Sequence, residues 1–221
     1  MIKTFFYIFL ALILGLFLFL SISIFGIIKY TKDLPDYKQL KEYTPSIISR
    51  LYTGNGTLLA EFSAEKRVFI PIESIPDIIK KAFVSAEDKN FFDHKGVDLQ
   101  SISKAVLINI KNLYEGKRLV GASTITQQLA KNFLLSNEVS LNRKIREALL
   151  ALRIERILTK DDILELYLNE IFLGKRSYGI AAAALNYFNK SLDELDLYEV
   201  AYLAGLPKGP NNYDPVKNKK A

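Results

Sequence analysis

A chain of 221 residues, 49% of them hydrophobic, is long enough to bury one sizeable core. The absence of cysteine excludes disulfides and thiolate metal sites, and a single histidine, His94, argues against a dedicated zinc site. The formal net charge of +6 suits an anionic partner, such as a lipid surface or a phosphorylated substrate. Nucleic acid would also fit this charge, but no nucleic-acid-binding motif occurs, so we expect no nucleic-acid partner.

The first predicted element is an apolar segment at residues 4–28, after a short tail at 1–3, and it carries no charged side chain. As a helix it would span roughly 37 Å, enough to cross a hydrocarbon core of about 30 Å. A cleaved signal peptide is the alternative, but its apolar stretch would be shorter, and Ser21–Ser23 is a poor cleavage site. The segment predicts a single-pass transmembrane anchor. Lysines flank both of its ends, so the positive-inside rule gives no orientation.

A polar connector at 29–49 leads to a small predicted β element. Two runs rich in residues that favour strands, Leu51–Thr53 and Thr57–Ala60, flank the turn signal Gly54–Gly56. This arrangement is typical of a β-hairpin. A third strand is predicted at Val68–Ile70.

After these strands the spacing of the apolar residues becomes helical, which predicts a mainly α domain. Most of the predicted helices begin at a serine, threonine or aspartate, whose side chain can accept a hydrogen bond from a free backbone N–H of the first turn. We expect the helices to end near Gly116, Leu158, Gly174, Asn189 and Gly205. Their predicted starts are Ser74, Asp98, Thr124, Ser140, Thr159, Gly179 and Ser191.

Glu87 is the first candidate for chemistry. It follows Ile79 and Phe83 at helical spacing, so it lies on the apolar stripe of its helix. A carboxylate that loses hydration there accepts a proton more readily, which suits a general base or acid. The neighbouring Asp88 would add like-charge repulsion. The alternative is a pair of charges facing water at a helix end, and the residues alone favour that plainer interpretation.

Glu147 is the second candidate. Ala151 and Ile154 continue its stripe, so Glu147 and Lys144 are expected to line a cleft. Arg143 lies four residues before Glu147 and could pair with it. An ordinary surface ion pair is the alternative, and it is favoured on the sequence alone.

The segment Gly121–Thr124 leads into a helix, where backbone N–H groups and hydroxyls could bind an anion. An ordinary helix cap is the alternative. The side chains expected to line the anion site are those of Ser123, Thr124, Gln127, Gln128 and Lys131.

Two further patterns occur in the sequence. Ser101–Lys104 matches the S-x-x-K pattern of penicillin-binding serine enzymes, but no K-T-G or K-S-G follows, so we exclude an acyl-transfer site. The segment Lys111–Val120 mixes apolar and basic residues, which predicts contact with a lipid bilayer through apolar insertion and attraction to anionic lipid.

Taken together and in this order, the segments resemble the transglycosylase domain of class A penicillin-binding proteins and monofunctional peptidoglycan glycosyltransferases. Residues 35–56 look most like the 1A branch of that class. The motifs that carry the resemblance are EDKNFFDHKG (87–96), GASTITQQLAKN (121–132), RKIRE (143–147), ILELYLNEIFLG (163–174), GIAAAALNYFNK (179–190) and LAGLPKGPNNYDP (203–215).

The resemblance implies a lysozyme-like helical glycosyltransferase domain at residues 50–215, followed by the start of a linker at 216–221. It implies an enzyme on the outer, periplasmic side of a bacterial cytoplasmic membrane. The acceptor would be lipid II and the donor a glycan chain on polyprenyl pyrophosphate. Their reaction would give β-1,4 glycan strands with inversion and release of polyprenyl pyrophosphate. Bifunctional relatives continue into a transpeptidase domain, so this chain would be either a monofunctional enzyme or a piece of a longer protein. The 1A-like start favours a piece.

The resemblance also assigns roles to residues. Glu87 would be the general base. Glu147 would be the second acidic residue, which assists on the pyrophosphate side or positions the acceptor. Lys131, Arg143 and Lys144 would balance the charge of the leaving pyrophosphate. No cofactor is required by the sequence, although Mg²⁺ or Mn²⁺ could sit with the pyrophosphate and Glu147, without a dedicated metal site. The residues expected to shape and line the cleft are Asp88, Phe91, His94, Ser123, Thr124, Gln127 and Gln128.

Two other functions stay open at this point. A lysozyme-like glycan hydrolase or lytic transglycosylase could use the same fold, with a glutamic acid as general acid. A non-catalytic, membrane-anchored scaffold that binds other cell wall synthesis proteins is the second. The basic residues suited to pyrophosphate and the predicted anchor favour synthesis.

Overall fold

The computed structural model describes residues 34–42, 49–62, 66–135 and 140–213, together with short pieces and single positions between 6 and 30. The part after residue 66 is built mainly from helices, which confirms the predicted class. Its α-helices are α1 (Asp77–Glu87), α2 (Leu99–Tyr114), α3 (Ile125–Leu134), α4 (Leu141–Ile154), α5 (Lys160–Glu170), α6 (Ile180–Phe188) and α7 (Leu197–Gly205).

The predicted β-hairpin is confirmed. Strand β1 (Ser49–Tyr52) pairs antiparallel with β2 (Leu58–Phe62). The turn between them is closed by a hydrogen bond of 2.8 Å from the backbone N–H of Thr53 to the carbonyl of Thr57. The two strands therefore form a separate small sheet ahead of the helices.

A second sheet joins distant parts of the chain. Its strands are β3 (Lys66–Arg67) and β4 (Ser177–Tyr178), which run parallel. The predicted third strand at Val68–Ile70 is wrong, because the strand ends at Arg67. The backbone of Ile70 instead bonds the side chain of Asn169, which accepts from its N–H at 2.8 Å and donates to its carbonyl at 2.9 Å. A side-chain amide thus satisfies the backbone groups that a strand neighbour would have satisfied.

Four predicted helix caps are confirmed. The side chains of Asp98, Thr124, Ser140 and Thr159 each accept a hydrogen bond from a backbone N–H in the first turn of the following helix. The predicted start at Ser74 is wrong, because residues Ile72–Ser74 form a separate 3-10 turn and Pro76 precedes α1.

Other boundaries shift for similar local reasons. The predicted start at Ser191 caps only the 3-10 turn Leu192–Glu194, and α7 begins later with its own capping box at Asp196. Helix α4 ends at Ile154 rather than Leu158, because the next residues tighten into turns with hydrogen bonds three residues apart. Helix α5 ends at Glu170 rather than Gly174, because Ile171 already has an extended backbone.

The core lies where α3 packs against α4 and α5, and where α1 packs against α7. The spacing of its apolar residues on each helix matches the predicted stripes. Burial of each large side chain there contributes about 1.5–3 kcal/mol. The largest side chains with almost no exposure include Ile79, Phe83, Phe91, Ile125, Leu129, Leu150, Ile163 and Tyr167.

Among the residues that the structure describes, none of the helices combines the length and apolarity that a membrane span requires. The predicted anchor at 4–28 lies mostly outside the described residues, and the predicted linker start at 216–221 lies wholly outside them.

Candidate active site

Glu87 is the last residue of α1 and lines a cavity of about 250 Å³. The buried residues Ile79 and Phe83 precede it on the same face of the helix, as the apolar stripe predicts. One carboxylate oxygen, Oε2, accepts a hydrogen bond of 2.8 Å from the Gln128 side-chain amide on α3. The other oxygen, Oε1, is buried and has no hydrogen-bond partner among the described residues. Within the described residues, the Glu87 carboxylate therefore accepts one hydrogen bond, at Oε2.

Asp88 is buried and ties the end of α1 to the start of α3. Its carboxylate accepts a bond of 2.9 Å from the backbone N–H of Ile125. Both of its oxygens lie 3.0 Å from His94 Nε2. Because His94 Nδ1 accepts from the backbone N–H of Gly96 at 3.2 Å, Nε2 carries the proton donated to Asp88. Asp88 and His94 therefore hold the frame around Glu87 in place.

Gly96 connects three parts of the site. Its carbonyl accepts a bond of 2.7 Å from the Thr124 hydroxyl. Its φ of +94° lies in the region that favours glycine, and a Cβ there would lie 2.7 Å from the carbonyl carbon of Ala151 on α4. Any other residue at position 96 would push α4 away from the motif that contains Glu87.

Phe91, which was predicted to shape and line the cleft, is fully buried in the core and has no surface exposed to it. Its ring packs edge-on against the His94 ring, with 6.3 Å between their centres. The ammonium nitrogen of Lys160 lies 4.4 Å from the centre of the Phe91 ring on another side. Phe91 supports His94 from within the core.

The segment before α3 forms a helix cap, the alternative to an anion site. Thr124 Oγ1 accepts from the backbone N–H of Gln127 at 3.1 Å, and Gln127 Oε1 accepts from the backbone N–H of Thr124 at 2.9 Å. Asp88 takes the N–H of Ile125. The N–H of Thr124, one of the donors predicted to bind an anion, and two N–H groups of the first turn of α3 are therefore already used by protein acceptors. Gln127 and Thr124 are buried and structural, whereas Ser123 stays accessible at the cavity.

Glu147 is 1% exposed, so the alternative of an ordinary surface ion pair is wrong. Its carboxylate pairs with Arg143 through one oxygen and with Lys144 at 2.6 Å through the other. Lys144 also donates to the Ser123 hydroxyl at 2.9 Å, which connects this cluster to the segment before α3.

Lys131 completes a basic cluster with Arg143 and Lys144. Burial lowers the pKa of Lys131, Glu147 acts against this shift, and Arg143 and Lys144 lower the pKa further. No hydrogen bond or ion pair to Lys131 occurs within the described part of the chain. Because three basic side chains share one carboxylate, the cluster keeps an excess of positive charge.

A second cavity of about 430 Å³ lies on the other side of Gln128, which lines it together with Lys131. Gln128 also bonds Glu87, so the Glu87 carboxylate lies where the two cavities approach each other.

In the wall of the second cavity, sequence reasoning predicted Gln128 and Lys131 and missed, among others, Arg67, Glu170 and Tyr178. Arg67 pairs with Glu170, and its guanidinium lies 4.7 Å from the centre of the Tyr178 ring. The motif at 163–174 contains Glu170 and was a signal for it. No local pattern links Arg67 to a residue 103 positions away.

A divalent cation does not fit the predicted position at Glu147. Both of its carboxylate oxygens already face cationic side chains, Arg143 and Lys144. Across the described residues, no cluster of three or more metal-ligating side chains occurs.

The transglycosylase family model matches residues 55–221. The penicillin-binding protein 1A of Rickettsia bellii is 55% identical over 189 residues, which are 86% of this chain and 24% of that protein. The penicillin-binding protein 1A of Escherichia coli K12 is 47% identical over 195 residues, 88% of this chain and 23% of that protein. The chain thus spans about a quarter of the length of these relatives.

The chain is also similar to a crystal structure of penicillin-binding protein 1A from Haemophilus influenzae, with 28% sequence identity and a TM-score of 0.40. The match covers 80% of this chain and 16% of the chain in that crystal structure. The sequence matches confirm the resemblance that the motifs indicated. Because the family model covers most of its length, the chain belongs to the transglycosylase family.

Proposed function

We propose that this domain is a peptidoglycan glycosyltransferase that polymerises lipid II into β-1,4 glycan strands in bacterial cell wall synthesis. The observation that carries the proposal is the Glu87 carboxylate, held by Gln128 between two cavities. The basic cluster reaches the first cavity through the bond from Lys144 to Ser123 and the second through Lys131. Two cavities suit two substrates, a donor glycan on polyprenyl pyrophosphate and a lipid II acceptor. The names of the relatives and the family of the chain agree with this activity.

Glu87 acts as the general base. It takes the proton from the 4-hydroxyl of the acceptor while that oxygen forms a bond to the anomeric carbon of the donor. The bond from this carbon to the pyrophosphate breaks in the same step, and its electron pair leaves with the pyrophosphate. A single displacement of this kind inverts the anomeric centre. The bond from Gln128 fixes the direction in which the carboxylate faces, which favours proton transfer.

The basic cluster of Lys131, Arg143 and Lys144 receives the leaving pyrophosphate. Charge-assisted hydrogen bonds from these side chains stabilise the negative charge that develops on the leaving group. Glu147 acts through Arg143 and Lys144, which it orients from a buried position. It is thus a positioning residue, and a divalent cation at Glu147 is not part of this mechanism.

The other site residues divide into two groups. Ser123 and Gln128 face the cavities and are available to substrates. Buried and half-buried residues hold the frame that positions Glu87 and the start of α3. Asp88, Phe91, Thr124 and Gln127 are buried, and His94 is half-buried.

The location is proposed on the same basis. Residues 4–28 anchor the chain in the cytoplasmic membrane by one helix, and the lysozyme-like domain at 50–215 lies on the outer side. Helix α2 supports contact with the bilayer, because Leu107 and Leu113 are about 70% exposed and Tyr114 is 94% exposed. The loop after α2 is held close to the helix by two hydrogen bonds between Asn109 and the backbone of Val120. Membrane lipids and other cell wall synthesis proteins are the proposed partners.

Incubation of the purified chain with labelled lipid II in detergent tests the proposal. We expect glycan polymer and released polyprenyl pyrophosphate. Shortening of preformed glycan without polymer would instead favour the hydrolase or lytic transglycosylase, and no reaction with either substrate would favour the scaffold.

A further inference from the structure

One tyrosine of the core has no evident reason to carry a hydroxyl. Tyr167 on α5 is 1% exposed and packs within the main core. Its hydroxyl oxygen is buried and has no hydrogen-bond partner among the described residues. A phenylalanine would fill the same space without this cost, so the hydroxyl calls for an explanation.

Glu87 Oε1 is a second buried atom of this kind. The two side chains come from helices that meet at α3, since α5 packs against α3 and Gln128 of α3 bonds Glu87. Burial raises the pKa of Tyr167, and the negative charges of Glu87 and Asp88 raise it further. The hydroxyl therefore stays a neutral O–H donor, because both carboxylates oppose its ionisation.

Asp88 is the less suitable acceptor for this donor. Its oxygens already accept from His94 and from the backbone of Ile125. Glu87 Oε1 is the carboxylate oxygen that still lacks a donor in the described part of the site. A single buried water commonly satisfies two such polar atoms that do not touch.

We propose that the Tyr167 hydroxyl donates a hydrogen bond to one bridging water, which in turn donates to Glu87 Oε1. With Oε1 held in this way and Oε2 held by Gln128, the carboxylate has one orientation and presents its remaining lone pair on Oε2 to the acceptor. The bridge also stabilises the ionised form of Glu87. Tyr167 is thus a positioning residue for the base, an inference that rests on the proposed function.

The test compares Tyr167→Phe with Tyr187→Phe, using the full chain and labelled lipid II between pH 5 and 8. The Tyr187 hydroxyl donates to the carbonyl of Leu173 at 2.9 Å, and Tyr187 lines neither cavity. Tyr187→Phe therefore controls for the removal of a tyrosine hydroxyl away from the site. For Tyr167→Phe we expect kcat to fall roughly 3- to 10-fold with KM unchanged. The acid limb of the pH–rate profile should move up by about half to one pH unit, because the ionised base loses a donor.

A second variant is expected to shift the acid limb of the pH–rate profile in the opposite direction. Incorporation of 3,5-difluorotyrosine at position 167 keeps the hydroxyl and makes it a stronger donor, so the acid limb should move to lower pH.

Three results would be decisive against the bridge. One is an acid limb that stays in place for both changes at position 167. Another is a loss of rate and of thermal stability that is the same in Tyr167→Phe and Tyr187→Phe. A third is a shift in the wrong direction with difluorotyrosine. If the unmodified chain makes no polymer, or Glu87→Gln stays active, the proposed function fails and not this inference alone.

Discussion

Glu87 and Glu147 both occur on helix faces with buried apolar residues, yet their carboxylates have opposite surroundings. Glu87 accepts one hydrogen bond, from a neutral amide, and its second oxygen has no partner among the described residues. Glu147 is more deeply buried and has a cationic side chain on each oxygen. A carboxylate with an oxygen that has no partner can accept a proton from a substrate, whereas one with a cation on each oxygen holds those cations in place. The proposed roles of base and positioning residue rest on this difference, although the two residues show the same pattern in the sequence.

The largest effect is expected for Glu87→Gln. The amide keeps the size of the side chain but cannot take a proton, so lipid II polymerisation should fall by roughly 10²–10⁴-fold. Thermal unfolding of the full chain serves as the control, and its midpoint should stay close to that of the unmodified protein. A folded variant with normal turnover would show that Glu87 is not the base.

Glu147→Gln should act on stability first. The change leaves Arg143 and Lys144 without their buried counter-charge, which we expect to cost about 2–3 kcal/mol in the free energy of unfolding. The cost is below that of a fully buried pair because the Lys144 side chain is 46% exposed. Urea unfolding measures it, and a loss no greater than that of Glu87→Gln would remove the distinction between the two sites.

Lys131, in the basic cluster near Glu147, is expected to affect the polymerisation rate at alkaline pH. Burial lowers the pKa of Lys131, so this cation loses its charge at a lower pH than an exposed lysine does. Arginine keeps its charge over the same range. In Lys131→Arg the alkaline limb of the polymerisation rate should therefore move to higher pH. The exposed Lys81, changed to arginine, is the control and should leave the profile in place.

Asp98 is a third carboxylate to compare, and it lies in the wall of the same cavity as Glu87. Its substitution is expected to have the smallest effect on the protein. Burial would raise the pKa of Asp98, but bonds from Ser101 and Asn90 outweigh it and hold the pKa well below its usual range. Its ionised form therefore adds stability above about pH 4, and this contribution is lost as the pH falls further.

Asp98→Asn tests that account. We expect a loss of about 1 kcal/mol near pH 7, because the helix α2 cap weakens, and a shallower loss of stability between pH 5 and 2. Unfolding in urea at several pH values measures both. An unchanged slope below pH 4 would show that the bonds to Asp98 do not favour its ionised form.

The sequence was enough to predict features whose cause lies within a few neighbouring residues. The caps at Asp98 and Thr124 follow from side chains that bond N–H groups three residues later. The burial of Phe83 and the position of Glu87 follow from helical spacing.

The rest depends on contacts between distant residues. The Gly121–Thr124 segment has the composition of an anion site, but Asp88, 37 residues before Ile125, takes the first N–H of the helix that follows it. Strand spacing alone suggested Val68–Ile70, and the partner that prevents a strand, Asn169, comes from α5. The Tyr167 hydroxyl has no signal in the pattern, since tyrosine and phenylalanine fill an apolar stripe equally well. Long-range partners therefore decided which predicted site residues are structural.

The most direct test of the contrast is the polymerisation rate per folded molecule of Glu87→Gln and Glu147→Gln, measured side by side with labelled lipid II. Each rate is divided by the folded fraction found by urea unfolding under the same conditions. The base should lose at least about 10²-fold and the positioning residue about 10-fold or less. Equal losses, or a greater loss for Glu147→Gln, would contradict the assignment of Glu87 as the base.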